Sequence, residues 1–166
     1  TEAYSLAWSH SYDLPVLALR LFNVFGPLQS SAHAYAAVVP AFLAAAMQDK
    51  PLPLHGDGSQ TRDFTFVDSV IRVITDALRR GVSSLEPVNL AFGSRVSLLE
   101  LIAGLEEILG RRLSVESLPV RSGDVPRSQA DSSALRALFP TIEPTALDAG
   151  LRATAEWFRS SRSWEI

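Results

Sequence analysis

An arginine set between a glycine-rich turn and an alternating strand can hold a phosphate. The run Leu54-His55-Gly56-Asp57-Gly58-Ser59-Gln60-Thr61-Arg62-Asp63-Phe64-Thr65-Phe66-Val67-Asp68 contains one at Arg62. The planar guanidinium grips phosphate or carboxylate with two parallel hydrogen bonds. The competing account of Arg62 is an exposed ion pair with Asp63, worth roughly 0–1 kcal/mol. Asn23 is a second candidate. It follows the apolar run Val16–Phe22, inside Arg20-Leu21-Phe22-Asn23-Val24-Phe25-Gly26-Pro27. Ligands of open α/β sheets lie just beyond the carboxyl ends of strands, and an amide there offers both a donor and an acceptor. An asparagine in a loop also bonds its own backbone, so the two accounts stand side by side. A third polar group is Arg121-Ser122-Gly123-Asp124, a guanidinium and a carboxylate within ordinary turn composition.

Other chemistries are excluded. His10, His33 and His55 are scattered and no cysteine joins them, so no metal motif forms. The absence of cysteine also removes disulfides and thiol catalysis, and fits a cytoplasmic protein. Gly56-x-Gly58 lacks the third glycine of a dinucleotide fingerprint and precedes a strand rather than a helix. Tyr4 is followed four residues later by Trp8, so no Tyr-x-x-x-Lys pair is present. A net charge of −3 and no Lys/Arg-rich run argue against nucleic acid. The longest apolar run, Ala34–Met47, contains Pro40 and is too short to span a bilayer. The opening residues do not read as a signal peptide.

The run from Leu54 to Asp68, the Arg20–Pro27 element and Arg121-x-Gly-Asp followed by Ala130-Asp131 together resemble the sugar-nucleotide epimerase/dehydratase family, the extended short-chain dehydrogenases/reductases. The resemblance covers about Glu2 to Trp157. It implies an α/β fold of Rossmann type, of which this chain is the C-terminal, substrate-binding portion, a single unit over residues 1–166. The N-terminal NAD-binding part and the Tyr-x-x-x-Lys pair would lie outside it. By the same resemblance Arg62 and Arg121 meet the diphosphate of a UDP-sugar, two charges against those of two phosphates. Asn23 meets the sugar-diphosphate region and Asp124 the ribose. Val38, at a helix start like the family's, would donate a backbone N–H, because Pro40 cannot. His55 would stack on uracil, or sit as an ordinary surface histidine. Ser128 would lie beside the sugar ring, where its small size leaves room for an N-acetyl group. The segment Phe25-Gly26-Pro27-Leu28-Gln29 with Ala34–Pro40 is most similar to UDP-glucose and UDP-N-acetylglucosamine 4-epimerases. Alternatives are a 4,6-dehydratase, a decarboxylase or a non-catalytic nucleotide-sugar-binding relative. The implied parent is an NAD-dependent enzyme, with this chain inactive alone. As a partner, the expectation is a UDP-sugar, no nucleic acid, no membrane, and a homodimer or self-association.

These residues need elements to position them. At 166 residues, 47% hydrophobic and 20% charged, the chain has the size and composition of one soluble domain. Helices are predicted over Glu2–Tyr12, Ala36–Gln48, from an Asp68 cap to Arg80, from a Ser97 capping box to Leu109, over Ser132–Phe139 and over Leu147–Ser160. Gly81 and Gly110 are natural stops. Strands are predicted at Val16–Phe22, Leu52–Leu54, Asp63–Val67, Val88–Ala91 and Leu113–Leu118, the first buried on both faces in a parallel sheet. Arg121–Asp131 reads as a polar loop.

Overall fold

Nine short strands in four small sheets, with six helices between them, make up the described residues of the computed structural model, 1–31 and 37–162. The expected mixed α/β arrangement is therefore present. His33, Tyr35 and the rest of 32–36 lie outside the described residues.

The chain opens with α1 (Glu2–Tyr12), which Asp13 ends in a left-handed conformation. Thr1 makes no side-chain cap. Of α1 only Ser9 is buried, and a two-bond Arg20–Glu2 pair ties the helix to the next strand. Tyr4, Trp8 and Tyr12 stand in solvent, Trp8 edge-on to Tyr12. Of the expected strand Val16–Phe22, only β1 (Leu19–Leu21) is regular, and Leu21 is 57% exposed. Among the described residues it pairs in parallel with one strand, β6 (Val88–Leu90), so the expected burial on both faces is not found: Leu19 is half-buried while Arg20 and Leu21 are exposed. A two-residue strand β2 (Val24–Phe25) follows.

Helix α2 (Val38–Met47) is apolar nearly all round and has Pro40 in its first turn, where the missing N–H breaks no bond. Strand β3 (Leu52–His55) alternates buried Leu52 and Leu54 with half-buried Pro53 and His55. The Arg62 segment divides into β4 (Thr61–Arg62) and β5 (Thr65–Phe66). Strand β5 runs straight into α3 (Val67–Arg80), whose N-cap is Phe66. Asp68 is thus not the cap. It sits in the first turn, where a negative charge suits the helix dipole, and pairs with Arg72 at 2.9 Å.

After β6 and β7 (Val96–Ser97), helix α4 (Leu98–Leu109) begins with the expected capping box. Ser97 Oγ accepts the Glu100 N–H, and the Glu100 carboxylate accepts the Ser97 N–H. Gly81 and Gly110 close α3 and α4 with φ of 64° and 68°. Strand β8 (Val115–Leu118) pairs in parallel with β3. The expected polar loop contains one more strand, β9 (Arg127–Ser128), parallel to β4. Helices α5 (Ser133–Leu138) and α6 (Leu147–Ser161) complete the chain, with Phe158 fully buried and Trp157 half-buried.

Two apolar cores result. The larger gathers α2, β3, α4 and α6 around Phe42, Leu43, Leu52, Leu101, Leu105 and Phe158. The smaller packs α3, β6 and α5 through Val73, Leu90, Leu135 and Phe139. Phe25, in β2, belongs to the first core while Val24 packs on the second, so this short strand joins them.

Candidate functional site

A cleft of about 560 Å³ opens over the larger core. Its apolar floor includes Phe25, Phe42 and Phe64, with Phe25 and Phe64 edge-to-face at 6.3 Å. The start of α2 forms one wall through Ala37, Val38 and Val39. Pro53 and His55 of β3, Gln60 and Arg62 form another, and the Arg121–Asp124 turn closes the rim.

Asn23, Val38, His55, Arg62, Arg121 and Asp124 therefore all line one cleft, from five separate parts of the chain. Ser128 is not among the lining residues. It sits in β9 opposite Arg62, and registered partners in adjacent strands share a face, so it stands on the same side of the sheet as Arg62.

Local geometry explains each position. Asn23 adopts φ 35°, a left-handed conformation that asparagine tolerates better than most residues. Its side-chain amide donates to the Asp63 carbonyl at 3.2 Å. The Asn23 carbonyl accepts the Thr65 N–H at 3.3 Å. Val38 is the first residue of α2, where backbone N–H groups have no partner within the helix. His55 Nδ1 lies 2.9 Å from the Pro119 carbonyl. A carbonyl only accepts, so His55 donates from Nδ1 in this contact.

Arg62 and Asp63 take opposite directions because successive residues of an extended chain face opposite sides. The alternative of an Arg62–Asp63 pair is thereby ruled out. Arg62 turns to the cleft, donating from Nη1 to the Thr61 and Val125 carbonyls at 2.8 Å each, and from Nη2 to Asp124. Asp63 turns inward and is fully buried. Its two oxygens accept the Gly93 N–H at 2.9 Å, the Ser94 N–H at 3.0 Å and the Ser94 hydroxyl at 2.8 Å.

Two pairings add to the sequence expectation. The positive charge of Arg62 is matched by Asp124, whereas Arg121 also lines the cleft and has no ion pair among the described residues. The role of Asp63 is structural, and it joins Asn23 to the loop after β6. Gln60 was not singled out from sequence, yet it lines the cleft and donates Nε2 to the His55 carbonyl at 2.6 Å. The turn before it is set by Asp57, which accepts the Ser59 hydroxyl and N–H, and these bonds hold its carboxyl below the usual aspartate range. Among the described residues no group of three metal-ligating side chains occurs.

The sequence profile of the NAD dependent epimerase/dehydratase family matches residues 1–91. This chain belongs to that family. A UDP-glucose 4-epimerase of Mycolicibacterium smegmatis is 32% identical over 162 residues, 96% of this chain and 50% of that protein. Among solved structures, a UDP-N-acetylglucosamine 4-epimerase of Methanobrevibacter ruminantium M1, in complex with UDP-N-acetylmuramic acid, superposes with a TM-score of 0.88. It is 32% identical, and the match covers 96% of this chain and 51% of that one. A UDP-glucuronic acid 4-epimerase of Bacillus cereus, in complex with UDP-glucuronic acid and NAD, has a TM-score of 0.84 at 29% identity. That match covers 96% of this chain and 50% of the other. The family fold is thus present here in part. The chain spans about half the length of the curated relatives it matches.

Proposed function

We propose that the cleft binds a UDP-sugar, and that this chain, as a single unit, is the nucleotide-sugar-binding part of an NAD-dependent 4-epimerase. The observation that carries the reading is the convergence of Arg62, Arg121, Asp124 and the open start of α2 on one cleft. Guanidinium groups and free helix N–H groups both favour an anion such as a diphosphate.

The strand β3 supports the base assignment. It pairs with β8 on one edge, where Leu52 N–H meets the Ser114 carbonyl and Gly56 N–H meets the Leu118 carbonyl. By strand alternation the Pro53 carbonyl and the His55 N–H turn to the other edge. Both residues line the cleft. An acceptor beside a donor matches the imide edge of uracil, which presents N–H beside a carbonyl.

In this reading Asn23 holds the sugar end, Asp124 accepts the ribose hydroxyls, His55 flanks the base and Ser128 leaves room at the sugar ring. Bound NAD would accept a hydride transiently at the sugar. Its glycine loop and the Tyr-x-x-x-Lys pair have no counterpart in the sequence, so this chain's residues bind and orient the sugar nucleotide without performing the transfer. Among the described residues no helix is long and apolar enough to cross a membrane, and a cytoplasmic site fits the reading.

Calorimetric titration of the chain with UDP, UDP-glucose and UDP-N-acetylglucosamine tests the proposal. Saturable binding, competed by inorganic pyrophosphate, is expected, with no epimerisation by the chain alone. No binding at millimolar ligand would remove the reading. In the NAD-binding parent, 4,6-dehydration or decarboxylation of the sugar with no C4 inversion would replace epimerase by one of those activities.

A further inference from the structure

Arg62 and Asp124 stand 62 residues apart in sequence and meet inside the cleft. Their side chains are 13% and 29% exposed. The guanidinium is held on one end only: Nη1 is committed to the Thr61 and Val125 carbonyls, and one Nη2 hydrogen to Asp124 Oδ1. Among the described residues nothing takes Nε–H or the second Nη2 hydrogen, two of the five donors an arginine carries. They are donors that a phosphate oxygen can accept. On the other side, Arg62 engages Asp124 through Oδ1, and among the described residues nothing takes Oδ2, which leaves it for a diol.

The turn that carries Asp124 has few other restraints. Asp124 N–H bonds the Arg121 carbonyl at 3.1 Å, and Gly123 takes φ 82°. The fixed end of the turn is the pairing of β9 with β4, where Thr61 N–H also meets the Pro126 carbonyl at 3.0 Å. What orients the Asp124 carboxylate, then, is Arg62. What completes the orientation of Arg62 is Asp124.

We propose that Arg62 and Asp124 form one coupled recognition unit. Arg62 is a positioning residue for ribose recognition and Asp124 a positioning residue for diphosphate recognition, beyond the contact each makes itself. The proposal rests on the UDP-sugar reading of the cleft. It makes a statement that independent contacts do not: a change at the phosphate-binding arginine alters how the protein reads the sugar of the nucleoside.

The test compares UDP with 2′-deoxy-UDP on the wild-type chain and on Arg62→Lys. The variant keeps a positive charge for the diphosphate but cannot hold the Thr61 and Val125 carbonyls and Asp124 together. Wild type is expected to prefer UDP by about tenfold, the size of one hydrogen bond to a charged acceptor. In R62K the preference should collapse towards one. The reciprocal arm measures inorganic pyrophosphate, which has no ribose, on Asp124→Ala. Removing a negative charge should by itself tighten pyrophosphate, whereas the coupled unit predicts at least threefold weaker binding. Should R62K fail to fold by circular dichroism, the D124A arm decides alone.

Equal weakening of UDP and 2′-deoxy-UDP in R62K, with pyrophosphate unchanged or tighter in D124A, overturns the coupling and leaves the UDP-sugar reading intact. A wild-type preference of one shows that Asp124 does not read the 2′-hydroxyl and also overturns it. Failure of the wild type to bind UDP removes the cleft assignment and the coupled unit together.

Discussion

The Asp63 carboxylate accepts the Ser94 hydroxyl at 2.8 Å and the Ser94 N–H at 3.0 Å, while no part of Asp63 reaches solvent. Among the described residues no cation pairs with this buried carboxylate, so dipoles must hold it, and three donors from the loop after β6 do so. Ser94→Ala removes one hydrogen bond to a charged acceptor and should cost about 1.5–3 kcal/mol. Asp63→Asn turns an amide NH₂ towards backbone N–H donors and should cost more. Urea unfolding measures both. Because Asn23 bonds the Asp63 carbonyl, D63N should also weaken UDP binding, and S94A less so.

Helix α6 meets the cleft floor at Gly150. A Cβ there would lie 2.9 Å from the Phe66 ring and 3.0 Å from the Phe25 ring. In an open helix, Gly→Ala would gain about 1 kcal/mol. Overpacking costs about 1–3 kcal/mol, and two aromatic rings with buried neighbours have little room to move. Gly150→Ala should therefore lower the melting temperature. It should also reduce ligand affinity through Phe25, which lines the cleft. An unchanged melting temperature would show that the rings yield.

The Ser97–Glu100 box predicts a pH signature. Glu100 is held below its ordinary pKa of 4.5 by the Ser97 N–H first and the Ser97 hydroxyl second. A carboxyl depressed in the folded state stabilises the fold above its unfolded pKa. That contribution is lost as the pH falls through the folded pKa. The stability gap between wild type and Glu100→Gln should thus be full at pH 7 and close below 4.5. Ser97→Ala, which also loses the cap, should cost about 1 kcal/mol at neutral pH. Chemical denaturation from pH 3 to pH 7 follows both.

Arg121 should dominate the salt dependence of ligand binding. Arg62 has Asp124 beside it, whereas Arg121 lines the cleft with no ion pair among the described residues. Arg121→Gln should weaken UDP about tenfold or more and flatten the decline of affinity between 50 and 300 mM salt, a range over which screening deepens. Equal salt slopes in wild type and variant would assign the electrostatics elsewhere.

The exposed aromatic face of α1 should drive association. Tyr4, Trp8 and Tyr12 are 77%, 59% and 67% exposed, and Leu21 of β1 is exposed as well. Unpaired apolar faces of this kind mark interaction surfaces. Light scattering should show mass rising with concentration, and Trp8→Ser should reduce it. A monomer at high concentration in both would set the idea aside.

Much of this was legible where the signal is local. The capping box at Ser97 and Glu100 and the glycine stops at 81 and 110 are decided within one helical turn, so the sequence carries them. The cleft residues were legible as motifs, through resemblance and through the chemistry of guanidinium and amide groups. What escaped was set by alternation and by long-range pairing. Arg62 and Asp63 are adjacent, yet the strand sends one to the cleft and the other to the core. The partner of Arg62 lies 62 residues away, and no local pattern announces it. Asp68 has cap chemistry, but β5 runs so directly into α3 that the helix begins before it. Ser128 carried no local sign of a strand, because its partner β4 is fixed only by the fold.

The cleft walls belong to different two- and three-stranded sheets: β2 with β5, β3 with β8, and β4 with β7 and β9. Among the described residues no ladder of backbone bonds runs from one of these sheets to the next. The walls should therefore breathe independently, and amide hydrogen exchange should divide along sheet boundaries rather than fade smoothly from the centre. A ligand touching all three would act as their common brace. Its arrival would be recorded as synchronised protection of Thr61, Leu54 and Thr65, three amides in three separate sheets.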